Sequence, residues 1–167
     1  MKTFRRIGAL LLLVFVSMCG FTACSSDDDP EEQQQNKYPL VVAMSYTPSR
    51  DLLNVADIKV TYTDGNGQKQ TETINGKFEK TVTVQTYPIR VGYEVSATLK
   101  SSYVQKESYD ITYVSTINIT KNGSPVAARP MSGKSLGVTD VEKMLQRGSL
   151  NIKSYFDFDS EGNYVTE

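Results

Sequence analysis

The sequence predicts a mainly β fold, an antiparallel β-sandwich with one short helix. Two segments, Ala56–Tyr62 and Ile89–Leu99, alternate apolar and polar residues with the period of two that half-buried strands show. Turn-forming residues separate the apolar segments, and Asn75–Gly76 is the strongest hairpin signal among them. Strands that follow one another without intervening helices favour an antiparallel sandwich, and a small β-barrel is the alternative.

The first half of the folded region reads as strands joined by turns. The first strand is apolar on both faces, which predicts a central position, and it ends at Pro48 because proline has no N–H to give to a ladder. The third strand is polar and rich in threonine, as an edge strand would be. The fourth returns after the Asn75–Gly76 turn with Val82 and Val84 facing inward. These predicted strands cover residues 40–46, 56–63, 68–74 and 78–86.

The second half continues the same pattern after a corner at Tyr87–Pro88. Polar Ser115 and Ser154 stand in registers that are otherwise apolar, and the segment between Pro125 and Pro130 is a weak strand. The predicted strands here cover residues 89–99, 109–119, 126–131, 150–158 and 164–165.

One helix is predicted between these strands. Thr139 is a good N-cap, and Glu142 stands three residues later, which is the spacing of a capping box. Gly148 supplies the C-terminal stop. A helix this short needs packing against the domain to persist.

The start of the chain has the three-part pattern of a secretory signal peptide. Lys2, Arg5 and Arg6 give a positive start, and the apolar run Ile7–Val16 follows. The run is about ten residues long, whereas a helix that spans a bilayer needs about 20. A retained membrane-anchor helix is therefore the less favoured interpretation.

The stretch Phe21–Cys24 resembles the lipobox of bacterial lipoproteins, in which a small residue precedes a cysteine. Ala23 fits the small position, whereas Cys19 follows the bulky Met18. The resemblance implies that Cys24 is acylated, becomes the new N-terminus and attaches the protein to the membrane. We therefore divide the chain into a signal peptide (residues 1–23), the lipidated cysteine with an acidic disordered tether (24–37) and a single β-sandwich domain (38–167).

The tether, Ser25–Asn36, is polar and acidic, so it cannot bury enough apolar surface to become ordered. A Ser/Asp run just after the lipidated cysteine resembles the display signal of Gram-negative surface lipoproteins. This implies a location in the outer membrane, facing outward. The alternative is a solvated spacer without an address function.

The residue inventory excludes several kinds of chemistry. The chain has no histidine, and its two cysteines, Cys19 and Cys24, both precede the predicted domain. Histidine-based catalytic triads and His- or Cys-based metal sites are therefore excluded from that domain. A formal net charge of −1 gives no basic field for nucleic acid. We expect a protein that is not an enzyme, needs no cofactor and binds no nucleic acid.

Two sets of residues are weak candidates for a site. Asp157, Asp159 and Glu161 resemble the opening of a calcium loop, but a hairpin turn with charged tips is the favoured interpretation. Aromatic rings near strand ends are the candidates for stacking on a sugar ligand, although tyrosine also favours half-buried strand faces. These candidate stacking residues are Tyr46, Tyr87, Tyr103 and Tyr155.

Segments Val55–Tyr62, Lys80–Val84 and Val91–Tyr93 resemble small immunoglobulin-like or transthyretin-like domains of surface lipoproteins from Gram-negative anaerobes. Together with the tether, this favours a non-catalytic binding or adhesion module whose ligand is a glycan or a surface protein. A fimbrial or accessory pilus subunit, cleaved near Arg50, is the alternative. A small glycan-active hydrolase using Asp157 and Asp159 is less favoured, since a small sandwich rarely supplies a deep cleft.

Overall fold

The structure is a computed structural model that describes residues 39–132, 136–137 and 139–166. Within these residues, the chain forms eleven strands and two short helices. In chain order the elements are β1 (Leu40–Pro48), α1 (Arg50–Val55), β2 (Ala56–Thr63), β3 (Lys69–Ile74), β4 (Phe78–Val84), β5 (Ile89–Leu99), β6 (Asp110–Ile111), β7 (Tyr113–Lys121), β8 (Ser124–Ser132), β9 (Leu136–Gly137), α2 (Val141–Gln146), β10 (Ile152–Phe158) and β11 (Tyr164–Val165).

Two antiparallel sheets pack as a sandwich, which confirms the predicted fold class. Sheet A has the strand order β4-β1-β7-β8, and sheet B has the order β11-β10-β5-β2-β3. Strands β6 and β9 form a small separate pair. The sheets do not close into a barrel, so the barrel alternative was wrong.

The core lies between the sheets because alternate residues of each strand face inward. On β1, for example, Leu40, Val42 and Met44 are buried, while Val41 is exposed. Strand β1 pairs with β4 on one side and with β7 on the other, so the central position predicted for it is confirmed. Burying each such aliphatic side chain contributes about 1.5–3 kcal/mol.

The predicted hairpin at Asn75–Gly76 was wrong. Strand β3 pairs with β2 in sheet B, whereas β4 pairs with β1 in sheet A, so this connection crosses between the sheets. The reason is burial: Phe78 and Val84 of β4 are buried against the core beside β1, while β3 is a polar edge strand. A turn signal depends on adjacent residues, whereas the partner strand of β4 depends on the burial of its apolar side chains against strands distant in the sequence.

The helices differ from prediction in number and in one boundary. Helix α1 was missed because it has no capping box: the residue three after its N-cap Ser49 is Leu52 rather than Glu or Gln. Leu52 is buried, and the Ser49 hydroxyl accepts a hydrogen bond from its N–H. Helix α2 was predicted, but its N-cap is Asp140 rather than Thr139. The Asp140 carboxylate accepts from the N–H of Lys143 at 3.1 Å, as an N-cap side chain does.

A polar contact inside the core ties the two sheets together. Tyr93 of β5 reaches across to sheet A, where its hydroxyl lies 2.8 Å from the carbonyl oxygen of Ser45 and 2.6 Å from the hydroxyl of Ser115. Tyr93 and Ser115 are both buried. Ser115 therefore interrupts the apolar register of β7 because it is the partner of a buried tyrosine.

We expect Tyr93→Phe to lower the free energy of unfolding by about 1–3 kcal/mol, since it leaves the buried hydroxyl of Ser115 and the partly buried carbonyl oxygen of Ser45 without this partner. Urea unfolding measures this difference. The control is Tyr62→Phe, because the hydroxyl of Tyr62 contacts the side chain of Glu72 on the neighbouring strand of the same sheet, at 3.1 Å in a partly buried position. Equal losses in both variants would contradict a special role for the contact between the sheets.

Candidate functional site

An open groove with a volume of about 500 Å³ lies on the outer face of sheet B. It lies over β5 and β10, beside the turn that joins β2 to β3. We call it the Tyr155 groove. Its lining residues are Thr63, Gly67, Lys69, Pro88, Ile89, Arg90, Glu94, Lys153 and Tyr155.

Side chains on β5 and β10 point alternately to the core and to the outer face, and outward side chains of both strands line the groove. Arg90 and Glu94 face outward on β5, and their cross-strand partners on β10 are Asp157 and Lys153. Between these pairs, Tyr155 stands opposite Gly92, which has no side chain. The outer face therefore has a gap between Arg90 and Glu94, and the Tyr155 side chain borders it.

The groove is mainly cationic, and its aromatic residue contacts one of the cations. The Arg90 guanidinium lies 5.4 Å from the centre of the Tyr155 ring, within the range of a cation–π contact. Arg90 Nε lies 3.7 Å from Asp157 Oδ1, and Lys153 Nζ lies 4.0 Å from Glu94 Oε2. These long, exposed ion pairs contribute little to stability, so the charges remain available to a ligand.

Tyr155 itself is half-buried, and its hydroxyl oxygen is buried and makes no hydrogen bond within the described part of the chain. Burial raises the pKa of Tyr155; the nearby Glu94 carboxylate raises it further, while Arg90 opposes the change. The hydroxyl therefore stays protonated at neutral pH, and the ring rather than the hydroxyl is the part of Tyr155 that can contact a ligand.

The four candidate stacking tyrosines do not form one site. The expectation that Tyr46 is exposed was wrong, because its side chain is 0% exposed and its ring packs 5.6 Å from that of Tyr113. Tyr103 donates a hydrogen bond to Glu142 at 2.6 Å and lines a separate cavity of about 220 Å³. Tyr87 is half-buried beside Lys121. Tyr155 is the candidate that lines the large groove.

The sequence interpretation missed the cations that surround Tyr155. Lys69, Arg90 and Lys153 come from different strands and are far apart in the sequence. Their exposure could be predicted from strand alternation alone. Their proximity could not, because it depends on the pairing of β5 with β10 and with β2.

The candidate calcium ligands do not form one cluster, and one of them, Asp159, stabilises a turn. Asp159 Oδ1 accepts hydrogen bonds from the N–H groups of Glu161 and Asn163 at 2.9 and 2.8 Å. The bond from Asn163 is the main cause of a lowered pKa for Asp159. Asp157 faces Arg90 instead. No three His, Cys, Asp or Glu side chains group together as a metal site among the residues that the structure describes.

Cys24, the signal peptide and the whole tether lie outside the described residues. In the described part of the chain, no helix is long and apolar enough to cross a membrane. Arg50, the predicted cleavage point of the fimbrial alternative, is exposed and begins α1 directly after β1. Its neighbour Asp51 holds this segment in place, because its carboxylate bonds Lys106 at 3.0 Å and the N–H of Asp110 at 2.9 Å.

Neither a protein-family model nor a curated protein matches this chain. Its function is therefore inferred from the chain's own residues and from the geometry of the Tyr155 groove.

Proposed function

We propose that the chain is a lipid-anchored surface lipoprotein whose sandwich domain is a non-catalytic binding or adhesion module. The observation that carries this proposal is the Tyr155 groove, an open surface where an aromatic ring and several charged side chains converge. Such convergence of one aromatic residue with a few polar groups is typical of ligand sites. The ligand is a glycan or a protein on a neighbouring surface.

Anchoring and display follow from the start of the sequence. Acylation at Cys24 would hold the protein at the outer membrane, since each buried methylene contributes about 0.8 kcal/mol and two or more chains give stable attachment. A tether of about 13 residues can extend to at most roughly 45 Å. The domain would thus face outward and reach ligands beyond the lipid headgroups.

The lining of the groove favours binding over hydrolysis. Glycoside hydrolysis uses a pair of carboxyl groups that flank the scissile bond. Among the described lining residues, Glu94 is the carboxylate, and Lys153 faces it from β10. Asp157 is not among these lining residues, and its carboxylate forms an ion pair with Arg90 at 3.7 Å.

A glycan array and a pull-down against cell-surface proteins, both with the full chain, test this proposal. We expect specific capture of at least one ligand without formation of a product. Turnover of a captured glycan that is lost in Asp157→Asn would contradict the proposal and favour a hydrolase. Polymers that form only after trypsin-like cleavage at Arg50 would instead favour the fimbrial alternative.

A further inference from the structure

We propose that the Tyr155 groove binds acidic glycans, in which the sugar carboxylate contacts Arg90 and the sugar ring lies against Tyr155. This inference rests on the proposed binding function and specifies its ligand class as polysaccharides that contain uronic acids. Three properties of the groove support it: its charge, the way in which Arg90 is held, and the hydrogen bonding of its floor.

The charge of the groove selects for anions. Its lining includes the cations Lys69, Arg90 and Lys153 and the carboxylate Glu94. Lys69, at the start of β3, approaches from the side opposite β10, so positive charges stand on both sides of β5. Clefts lined mainly by one sign of charge concentrate ligands of the opposite sign.

Arg90 is positioned to receive a carboxylate. The Tyr155 ring, 5.4 Å from the guanidinium carbon, favours one orientation of the planar group. The side chain is nevertheless 62% exposed, and its ion pair with Asp157 involves Nε at 3.7 Å. A guanidinium can grip a carboxylate through two parallel N–H donors, which gives geometric selectivity as well as charge. A preoriented arginine loses less side-chain entropy when it does so.

The floor of the groove favours a sugar over an acidic peptide. Strand β5 is paired with β10 on one side and with β2 on the other, so its backbone groups are used in the sheet. A peptide therefore cannot add to β5 as a further strand. Recognition is left to side chains: charge from Arg90 and Lys153, hydrogen bonding from Glu94, and the flat face of Tyr155. An acidic sugar offers a carboxylate, hydroxyl groups and an apolar C–H face that match these groups.

The test is calorimetric titration of the full chain, kept in detergent micelles, with oligosaccharides of galacturonic acid. The matched neutral probe is the same oligosaccharide after reduction of its carboxyl groups, and the matched peptide probe is oligoglutamate. We expect binding of the acidic sugar that weakens as NaCl is raised, with at least about tenfold weaker binding of the two other probes.

Variants identify the groove as the site. Arg90→Gln and Tyr155→Leu are expected to weaken binding of the acidic sugar by at least about tenfold. The control is Lys59→Gln, which removes an exposed cation from the outer face of β2 outside the groove and should leave affinity within about twofold. Thermal unfolding of each variant shows whether the fold is kept.

The other outcomes overturn the inference in distinguishable ways. Equal binding of the reduced sugar would show that the sugar carboxylate does not contribute to binding. Tighter binding of oligoglutamate would show that the groove binds acidic peptides rather than acidic glycans. Both results leave the proposed binding function intact. Equal weakening by Lys59→Gln and Arg90→Gln would place the site elsewhere. Absence of binding to all three probes also overturns the inference, while the proposed function is judged independently by the array and the surface pull-down.

Discussion

Gly92→Ala is expected to lower the free energy of unfolding by about 3 kcal/mol or more, a larger loss than from the other glycine substitutions considered below. Gly92 has a φ of +146°, a region of backbone conformation that residues with a Cβ rarely adopt. A Cβ at this position would also overlap the carbonyl oxygen of Ser154 and lie 2.8 Å from the Cα of Tyr155.

These obstacles are backbone atoms of the neighbouring strand, so no side-chain rotation can relieve them. Either β10 moves away from β5 or the residue changes its φ, and both responses disturb the pairing of Gly92 with Tyr155. Because Tyr155 and Arg90 lie on these two strands, any Gly92→Ala protein that still folds should also lose the geometry of the Tyr155 groove.

Two other glycines serve as matched controls. Gly123 has a φ of +75° but open space where a Cβ would lie, so Gly123→Ala tests backbone strain alone and should cost about 1 kcal/mol. Gly76 also has open space, and we expect Gly76→Ala to change stability by less than about 1 kcal/mol. Urea unfolding of the three variants compares these losses. A loss of stability for Gly92→Ala no larger than that for Gly123→Ala would show that β10 can move away from β5 at little cost and would contradict this prediction.

Strand positions could be predicted from the sequence because burial imposes a local period of two. The segment Ile89–Leu99 was predicted with the bounds that β5 has. The same reasoning applied to Tyr46 would have placed it in the core, since it shares its face of β1 with Leu40 and Met44. The error was to treat a tyrosine near a strand end as exposed, although its position in the alternation indicates burial.

Strand partners and the candidate site could not be predicted in this way. Asn75–Gly76 signals a turn, but nothing near it indicates that β4 joins the other sheet. The groove depends on contacts of the same kind, because Arg90 and Tyr155 are brought together by the pairing of two strands distant in the sequence. Tyr155 was a candidate by residue type, whereas its cationic neighbours depend on the topology.

On the proposed lipid anchoring, we expect Cys24→Ala to abolish lipid attachment and with it the display of the domain at the cell surface. An alanine has no thiol to acylate, so the chains that would anchor the protein are lost. Because an anchoring chain contributes about 0.8 kcal/mol for each buried methylene, the loss exceeds what weak contacts between a domain and a membrane surface could replace. Metabolic labelling with a radioactive fatty acid and protease treatment of intact cells measure the two effects.

Cys19→Ala is the matched control, since it removes the other cysteine of the chain. Met18 before Cys19 is bulky, whereas the acylated cysteine of a lipobox follows a small residue such as Ala23. Cys19→Ala should therefore keep both the label and the accessibility to protease. Label retained in Cys24→Ala but lost in Cys19→Ala would move the anchor to Cys19. Label absent from the unsubstituted chain would contradict lipid anchoring altogether, and the binding module would then reach its ligand in another way.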